Sequence, residues 1–256
     1  MTDQADRTAG VSTTRTSFEI LELLRDADGR SLADIRDEIG VAKSTAYRHL
    51  ETLYRMGYLV EEDGEYRLSL RFLQLSEPPR LRKQGYLVAR QKVIELAQAT
   101  GERALFLVPE RFEGVYVHRA GGRHPLQSDT MIGTRRPLHV LAAGKAILAE
   151  WSEARLEEYV AAVDLDSYTD NSITDPDRLR ETLAAARSRG YATNVGEHME
   201  GLRAAGVPVY DQHDDLLGGL SVFGPAARVE TEDLESTYPA LLEDAVQELR
   251  IDLTYD

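Results

Sequence analysis

Two short amphipathic segments that meet across a glycine constrain this chain more than any other stretch. In residues 31–57, SLADIRDEIGVAKSTAYRHLETLYRMG, the apolar Leu32, Ile35 and Ile39 fall at i, i+3 and i+7, the repeat of a short helix that stops at Gly40. From Lys43 the pattern restarts, with Ala46, Leu50 and Leu53 on one side and Ser44, Arg48, Glu51 and Arg55 on the other. Two helices joined through Gly40-Val41-Ala42 make either an ordinary helical hairpin with a solvated polar face or a helix-turn-helix, whose second helix enters the DNA major groove. Lys43, Ser44, Thr45, Tyr47 and Arg48 suit the second use. A cation and hydroxyls hold phosphate, and an arginine fork matches guanine O6 and N7.

The following residues decide between the two. Residues 58–70 hold two β-prone runs around Asp63-Gly64, a dipeptide that tolerates the positive φ of a two-residue hairpin. A hairpin directly behind a helix-turn-helix makes a winged helix. Arg67 and Arg71 flank this wing, and Arg67 is expected to reach the DNA backbone or minor groove.

Composition bears on that expectation because the formal charge is -14, from 44 acidic against 30 basic residues. Phosphate neutralisation is the usual source of DNA affinity, so the balance looks wrong for the role. The acids are spread along the chain, however, and between Lys43 and Arg55 three cations face only Glu51. Lysine is confined to Lys43, Lys83, Lys92 and Lys145. An acid-rich, lysine-poor surface suits concentrated salt, where long-range repulsion is screened. A halophilic source is expected, with stability that falls as salt is withdrawn. The chain has no cysteine, which excludes disulfides, thiolate zinc sites and cysteine nucleophiles. It has no membrane-length apolar run and a polar start, so a cytoplasmic protein is expected.

Along the chain, residues 1–15 read as a flexible tail and 16–77 as the winged-helix domain. Its first helix starts near Thr16, ends near Asp28-Gly29, and carries Phe18, Ile20, Leu21, Leu23 and Leu24 on its apolar side. Glu77-Pro78-Pro79 should stop the chain's helical course and mark a boundary. Residues 78–101 then read as a linker helix with one stripe of Tyr86, Ala89, Val93 and Leu96 and another of Leu87, Ile94 and Ala97. So wide an apolar surface belongs either to a helix buried in its own domain or to a linker helix that also pairs with a second copy; the second is favoured, in a homodimer or dimer of dimers on a palindromic site. Residues 102–256 alternate strands and helices: a hairpin turning at Glu113-Gly114, a strand at 127–132, helices at 138–151, 153–163 and 175–189, strands at 191–195, 205–210 and 217–223, and a closing helix at 231–253. The fold class is α+β, with helices around an antiparallel sheet.

The first domain resembles the IclR family of transcriptional regulators in Lys43-Ser44-Thr45, Arg48, Gly57-Tyr58-Leu59 and Tyr66-Arg67-Leu68. The rest is similar to that family's effector-binding domain in residues 133–146, 189–197 and 201–225. The resemblance implies a GAF-like sheet with a small-molecule pocket for an organic acid or sugar-derived effector, in a regulator of a catabolic operon. By motif it places Ala142 and Ala143, before a turn at Gly144-Lys145, with Asn194, Leu202, Ala204, Ser221 and Phe223 on the pocket wall. The Ser221 hydroxyl and helix-start amides would cradle a carboxylate, and the Asn194 amide would donate or accept. Asn194 stands where the family often has aspartate, and Phe223 where some members have serine. The pocket should therefore be less polar and narrower, suited to an effector with a flat or apolar part.

Neither a metal, a cofactor nor catalysis is expected. His118, His124, His139, His198 and His213 form no close ligand pair on one element. Ser221 lies in Leu-Ser-Val-Phe-Gly, without the tight Gly-x-Ser-x-Gly turn that exposes a nucleophile. The rival reading is a ligand-binding or enzymatic domain whose winged helix serves protein contacts.

Overall fold

A computed structural model of the chain describes residues 10–121 and 131–255. They divide into two compact units, at Pro79/Arg80.

The first unit contains α1 (Ser12–Arg25), β1 (Arg30–Ser31), α2 (Leu32–Ile39), α3 (Lys43–Arg55), β2 (Leu59–Glu62) and β3 (Glu65–Leu68). Ile20, Leu24, Ile35, Leu50, Leu53, Leu59 and Tyr66 close its core. Local chemistry sets the helix boundaries. Ser31 and Asp34 form a reciprocal capping box at the start of α2, and Gly40, at φ 72°, closes it by donating its N–H to the Arg36 carbonyl. β2 and β3 pair from Leu59↔Leu68 to Glu62↔Glu65, turning through Asp63 (φ 55°) and Gly64 (φ 81°), and β1 adds a third strand beside β3.

Three expectations need correction here. Helix α1 begins at Ser12, inside the stretch read as a tail, because Ser17 bonds the Thr13 carbonyl and the His49 ring and so ties the first turns to α3. Phe18 is exposed. Pro78 and Pro79 do not end a helix: α4 (Arg71–Leu81) runs through both. None of its side chains is buried, so the carbonyls that the prolines leave without N–H donors face solvent.

The second unit is a six-stranded antiparallel sheet in the order β6-β5-β4-β9-β8-β7, from β4 (Arg103–Glu110), β5 (Glu113–Ala120), β6 (Arg135–Pro137), β7 (Ala192–Val195), β8 (Leu202–Tyr210) and β9 (Leu216–Pro225). Strand alternation sends Ala104, Phe106, Leu220 and Val222 to one face, under α5 (Gln84–Thr100) and α9 (Tyr238–Tyr255). Leu105, Leu107 and Phe223 go to the other, under α6 (Ala142–Glu150), α7 (Glu153–Ala162) and α8 (Pro176–Arg189). Asp175 caps α8, its side chain accepting the Arg178 amide at 2.8 Å.

Here too the sequence expectations shift. Tyr86, Ala89, Val93, Leu96 and Ala97 of α5 are buried within this unit's own core, which covers the first stripe, while in the second Ile94 is half-buried and Leu87 exposed. The β4–β5 hairpin turns at Arg111 and Phe112, both at positive φ, and not at Glu113-Gly114. Gly114 is a strand residue that a Cβ would bring within 3.2 Å of Leu107 and Leu138 side chains. The strand expected at 127–132 falls mainly outside the described residues, as does His124, while Met131 and Ile132 are not in a strand. The closing helix starts with a π-helical turn, Asp233–Thr237.

Candidate nucleic-acid interface and ligand pocket

Helix α3 buries Ala46, Leu50 and Leu53 against the first core. At about 100° per residue the opposite side carries Ser44, Tyr47, Arg48, Glu51 and Arg55. Lys43, Ser44, Tyr47 and Arg48 are exposed and Thr45 is half-buried. Arg55 is bonded to Glu51 at 2.6 Å, so those two cancel; among the described residues neither Lys43 nor Arg48 has an ion-pair partner.

Arg67 is not brought to this strip. Its guanidinium lies 2.9 Å from Glu65 and 3.6 Å from both Asp28 and Glu62, with its side chain 28% exposed. Three carboxylates and the carbonyls of Asp28 and Glu62 hold it as a brace between the wing and the α1–β1 turn. Arg71 is likewise structural: it donates to the Met56 carbonyl at 2.6 Å and lies over the Tyr58 ring.

In the second unit a cavity of about 60 Å³ opens between the sheet and α6. Ala142, Ala143, Asn194, Leu202, Ala204, Ser221 and Phe223 all line it. So do Leu105, Leu107, Tyr116, Leu141, His198, Met199 and Arg203, which the sequence reading missed. Leu105 and Leu107 were detectable as alternate residues of one strand. Their place beside Ser221 and Phe223 depends on β4 pairing with β9, which no local pattern announces.

The polar chemistry differs from expectation. The Asn194 amide donates to the Val140 carbonyl and its Oδ1 accepts the Glu197 amide at 3.0 Å, so both ends already hold the β7–β8 segment. Ser221 donates its hydroxyl proton to the Ala205 carbonyl at 2.8 Å and offers a ligand lone pairs only. Donors come from elsewhere. Burial pushes the Tyr116 phenol up to about 12, so it stays protonated, and its hydroxyl has no hydrogen-bond partner among the described residues. His198, packed on Tyr168, is pushed below the ordinary imidazole value by burial and then by the Arg136 charge. At α6 the first helical bond is Lys145 N–H to the Leu141 carbonyl, which leaves the amides of Ala142, Ala143 and Gly144 without helical acceptors.

Gly144 and Lys145 are inside α6 rather than in a turn. A Cβ on Gly144 would stand 2.1 Å from the Leu138 carbonyl oxygen, because the 3-10 turn Leu138–Val140 folds back on the helix. Gly144→Ala is therefore expected to cost about 3 kcal/mol by overpacking against backbone, read as a fall in the thermal midpoint. An unchanged midpoint would show that the helix start can shift freely. The next residue, Lys145, is buried and paired with Glu197, and desolvation holds its ammonium below the ordinary lysine value against the upward pull of that carboxylate.

The remaining histidines have structural partners. His118 bonds the Tyr86 carbonyl at 2.6 Å, His139 bonds the Tyr159 hydroxyl at 2.8 Å, and burial pushes both down to about 4. No group of three or more potential metal ligands occurs among the described residues.

Comparison with known proteins places these features together. Residues 86–250 match the family model for the bacterial transcriptional regulator IclR C-terminal domain, and residues 15–63 match the IclR helix-turn-helix domain. The probable HTH-type transcriptional regulator ArcR of Halobacterium salinarum is 28% identical over 95% of this chain and 94% of its own. The crystal structure of Thermotoga maritima IclR superposes with a TM-score of 0.83 and 28% identity, covering 95% of this chain and 99% of that one. The inducer-binding domain of a PobR double mutant from Acinetobacter, in complex with 3-hydroxy benzoic acid, gives a TM-score of 0.60 at 26% identity over 64% of this chain and 96% of that one.

Proposed function

Since this chain belongs to the IclR family, and so is a DNA-binding transcription regulator with a C-terminal effector-binding domain, we propose that α3 reads the major groove through Lys43, Ser44, Thr45, Tyr47 and Arg48 and that the pocket takes a compact aromatic or apolar monocarboxylate. The observation that carries the first part is the pair of uncommitted cations, Lys43 and Arg48, both exposed on α3 of a chain with net charge -14. DNA of two-fold symmetry would be met by a homodimer or dimer of dimers acting in the cytoplasm. No helix of the described residues is long and apolar enough to cross a membrane.

For the effector, the flat face of Phe223 and the aliphatic side chains of Leu105, Leu107 and Leu202 suit a ring or branched chain. The Tyr116 hydroxyl and the α6 amides suit its carboxylate. The aromatic acid held by the PobR domain points the same way. The present volume is smaller than a ring needs, so Met199 and Leu202 must move outward as the ligand enters, and that displacement is what would alter the DNA affinity of the regulator.

Thermal shift and calorimetry test this. A hydroxybenzoate at a hundredfold excess over its Kd should stabilise the protein by about 2.7 kcal/mol, and Tyr116→Phe should weaken binding by about tenfold, the loss of one hydrogen bond to a charged acceptor. Tight binding of glyoxylate or pyruvate, with none of the larger acids, would overturn the assignment.

A further inference from the structure

A second polar site lies beside α3, in a cleft of about 390 Å³ between its flank and the start of α1, lined by Thr13, Thr14, Ser17, Thr45, Arg48, His49 and Thr52. We propose that this cleft seats a phosphate of the DNA backbone, one strand's wall of the groove that α3 enters, so that α1 positions the protein on the duplex while α3 reads it.

Angular placement is the first support. Measured from Ser44 at about 100° per residue, the reading strip of Tyr47, Arg48, Glu51 and Arg55 centres near zero and the buried Ala46, Leu50 and Leu53 near 200°. Thr45, Thr52 and His49 fall at roughly 80–140°, between strip and core on the side where α1 packs. A helix lying in the major groove turns its flanks towards the two sugar-phosphate backbones, so this flank faces one of them.

Chemistry is the second. In a chain with 44 acidic residues, none of the seven lining side chains is a carboxylate. The Ser17 hydroxyl lies 3.1 Å from the Thr13 carbonyl and 2.8 Å from His49 Nδ1, and the hydrogen bond with the imidazole holds α1 to α3 across the floor. Thr52 is spent on the Arg48 carbonyl at 2.7 Å. That leaves the hydroxyls of Thr13, Thr14 and Thr45 and the Arg48 guanidinium without partners among the described residues. Three hydroxyls around one space, with the Arg48 charge at its edge and the Arg48 fork left for a base, form a donor set that calls for an acceptor-rich anion of phosphodiester size.

The inference rests on α3 being the DNA-reading helix, and the experiment separates the two. Fluorescence anisotropy of the full chain would follow binding to a random-sequence 40-base-pair duplex over a potassium chloride series, with Thr14→Glu, Thr14→Arg and Lys43→Glu variants. Thr14 is exposed in the first turn of α1, where an acid is welcome to the helix, so loss of binding by Thr14→Glu cannot come from unfolding. The expected results are affinity about tenfold lower for Thr14→Glu, and for Thr14→Arg a tighter complex whose log Kobs against log salt is steeper by about 0.9, one more neutralised phosphate. If Lys43→Glu weakens binding but both Thr14 variants keep the parent affinity and slope, the cleft is no phosphate seat. If Lys43→Glu also binds like the parent, the assignment of α3 fails and takes the cleft with it.

Discussion

Replacing Arg48 by alanine is expected to lower affinity for a duplex selected in vitro on this protein by about 10- to 100-fold at moderate salt, the worth of one bidentate base contact, while leaving the thermal midpoint in place. Arg48 stands on the exposed side of α3 with no ion-pair partner among the described residues, so its removal opens no cavity and strands no buried charge. Exposed substitutions of that kind change stability by no more than about 0.5 kcal/mol. Arg67 should behave in the opposite way. Its guanidinium sits among Asp28, Glu62 and Glu65 at the wing base, so Arg67→Ala should cost about 1 kcal/mol of stability and shift DNA affinity far less. Anisotropy and thermal melts on the two variants give a crossed pattern. Equal DNA binding by Arg48→Ala and the parent would remove α3 from the interface.

That crossed pattern shows where sequence reasoning reached and where it stopped. The helix pair was legible because its evidence is local: Ala46, Leu50 and Leu53 repeat at helical spacing, and Gly40 reaches the left-handed region that a helix end needs. The wing was legible for the same reason, since Asp63-Gly64 encodes its own turn. Arg67 looked like its neighbours in type, and its charge is already spent because the hairpin brings Glu62 and Glu65 to it and Asp28 approaches from far along the chain. Asn194 and Ser221 repeat the lesson in the pocket. Their positions on the wall followed from motif, but their hydrogen bonds go to the local Glu197 amide and to the carbonyls of Val140 and Ala205, the last two set by tertiary structure. Tyr116, which faces the same space, had no motif to mark it. Gly144 next to Lys145 imitates a turn in one dimension, whereas the carbonyl of Leu138 makes it a packing requirement in three.

The buried pair that follows Gly144 supports the second large expectation, with a pH signature that a mere packing defect lacks. Lys145 projects from α6 at 1% exposure onto Glu197, whose side chain is 12% exposed and whose amide and carbonyl are held by Asn194 and Ser172. Glu197→Gln removes the only carboxylate on the ammonium among the described residues, and stranding a buried charge typically costs about 3–5 kcal/mol. A stranded lysine can shed its proton, at about 4–5 kcal/mol at pH 7, and that escape becomes cheaper as pH rises. The folded value of Lys145 already lies below its unfolded one, and losing Glu197 lowers it further. Between the folded and unfolded values the unfolded chain holds the extra proton, so stability rises with pH across that window, by up to about 1.4 kcal/mol per unit. Chemical denaturation of Glu197→Gln from pH 7 to 10 should therefore show a deficit that shrinks as pH rises. Lys145→Met strands Glu197 instead, which water can partly reach, so its deficit should be smaller and flat over the same range. The double variant, with no charge left to strand, should recover much of the loss. If Glu197→Gln melts like the parent at pH 7, or its deficit is constant up to pH 10, the ammonium is not confined as the structure places it, and the coupling of α6 to the β7–β8 segment beside the ligand pocket must rest on other contacts.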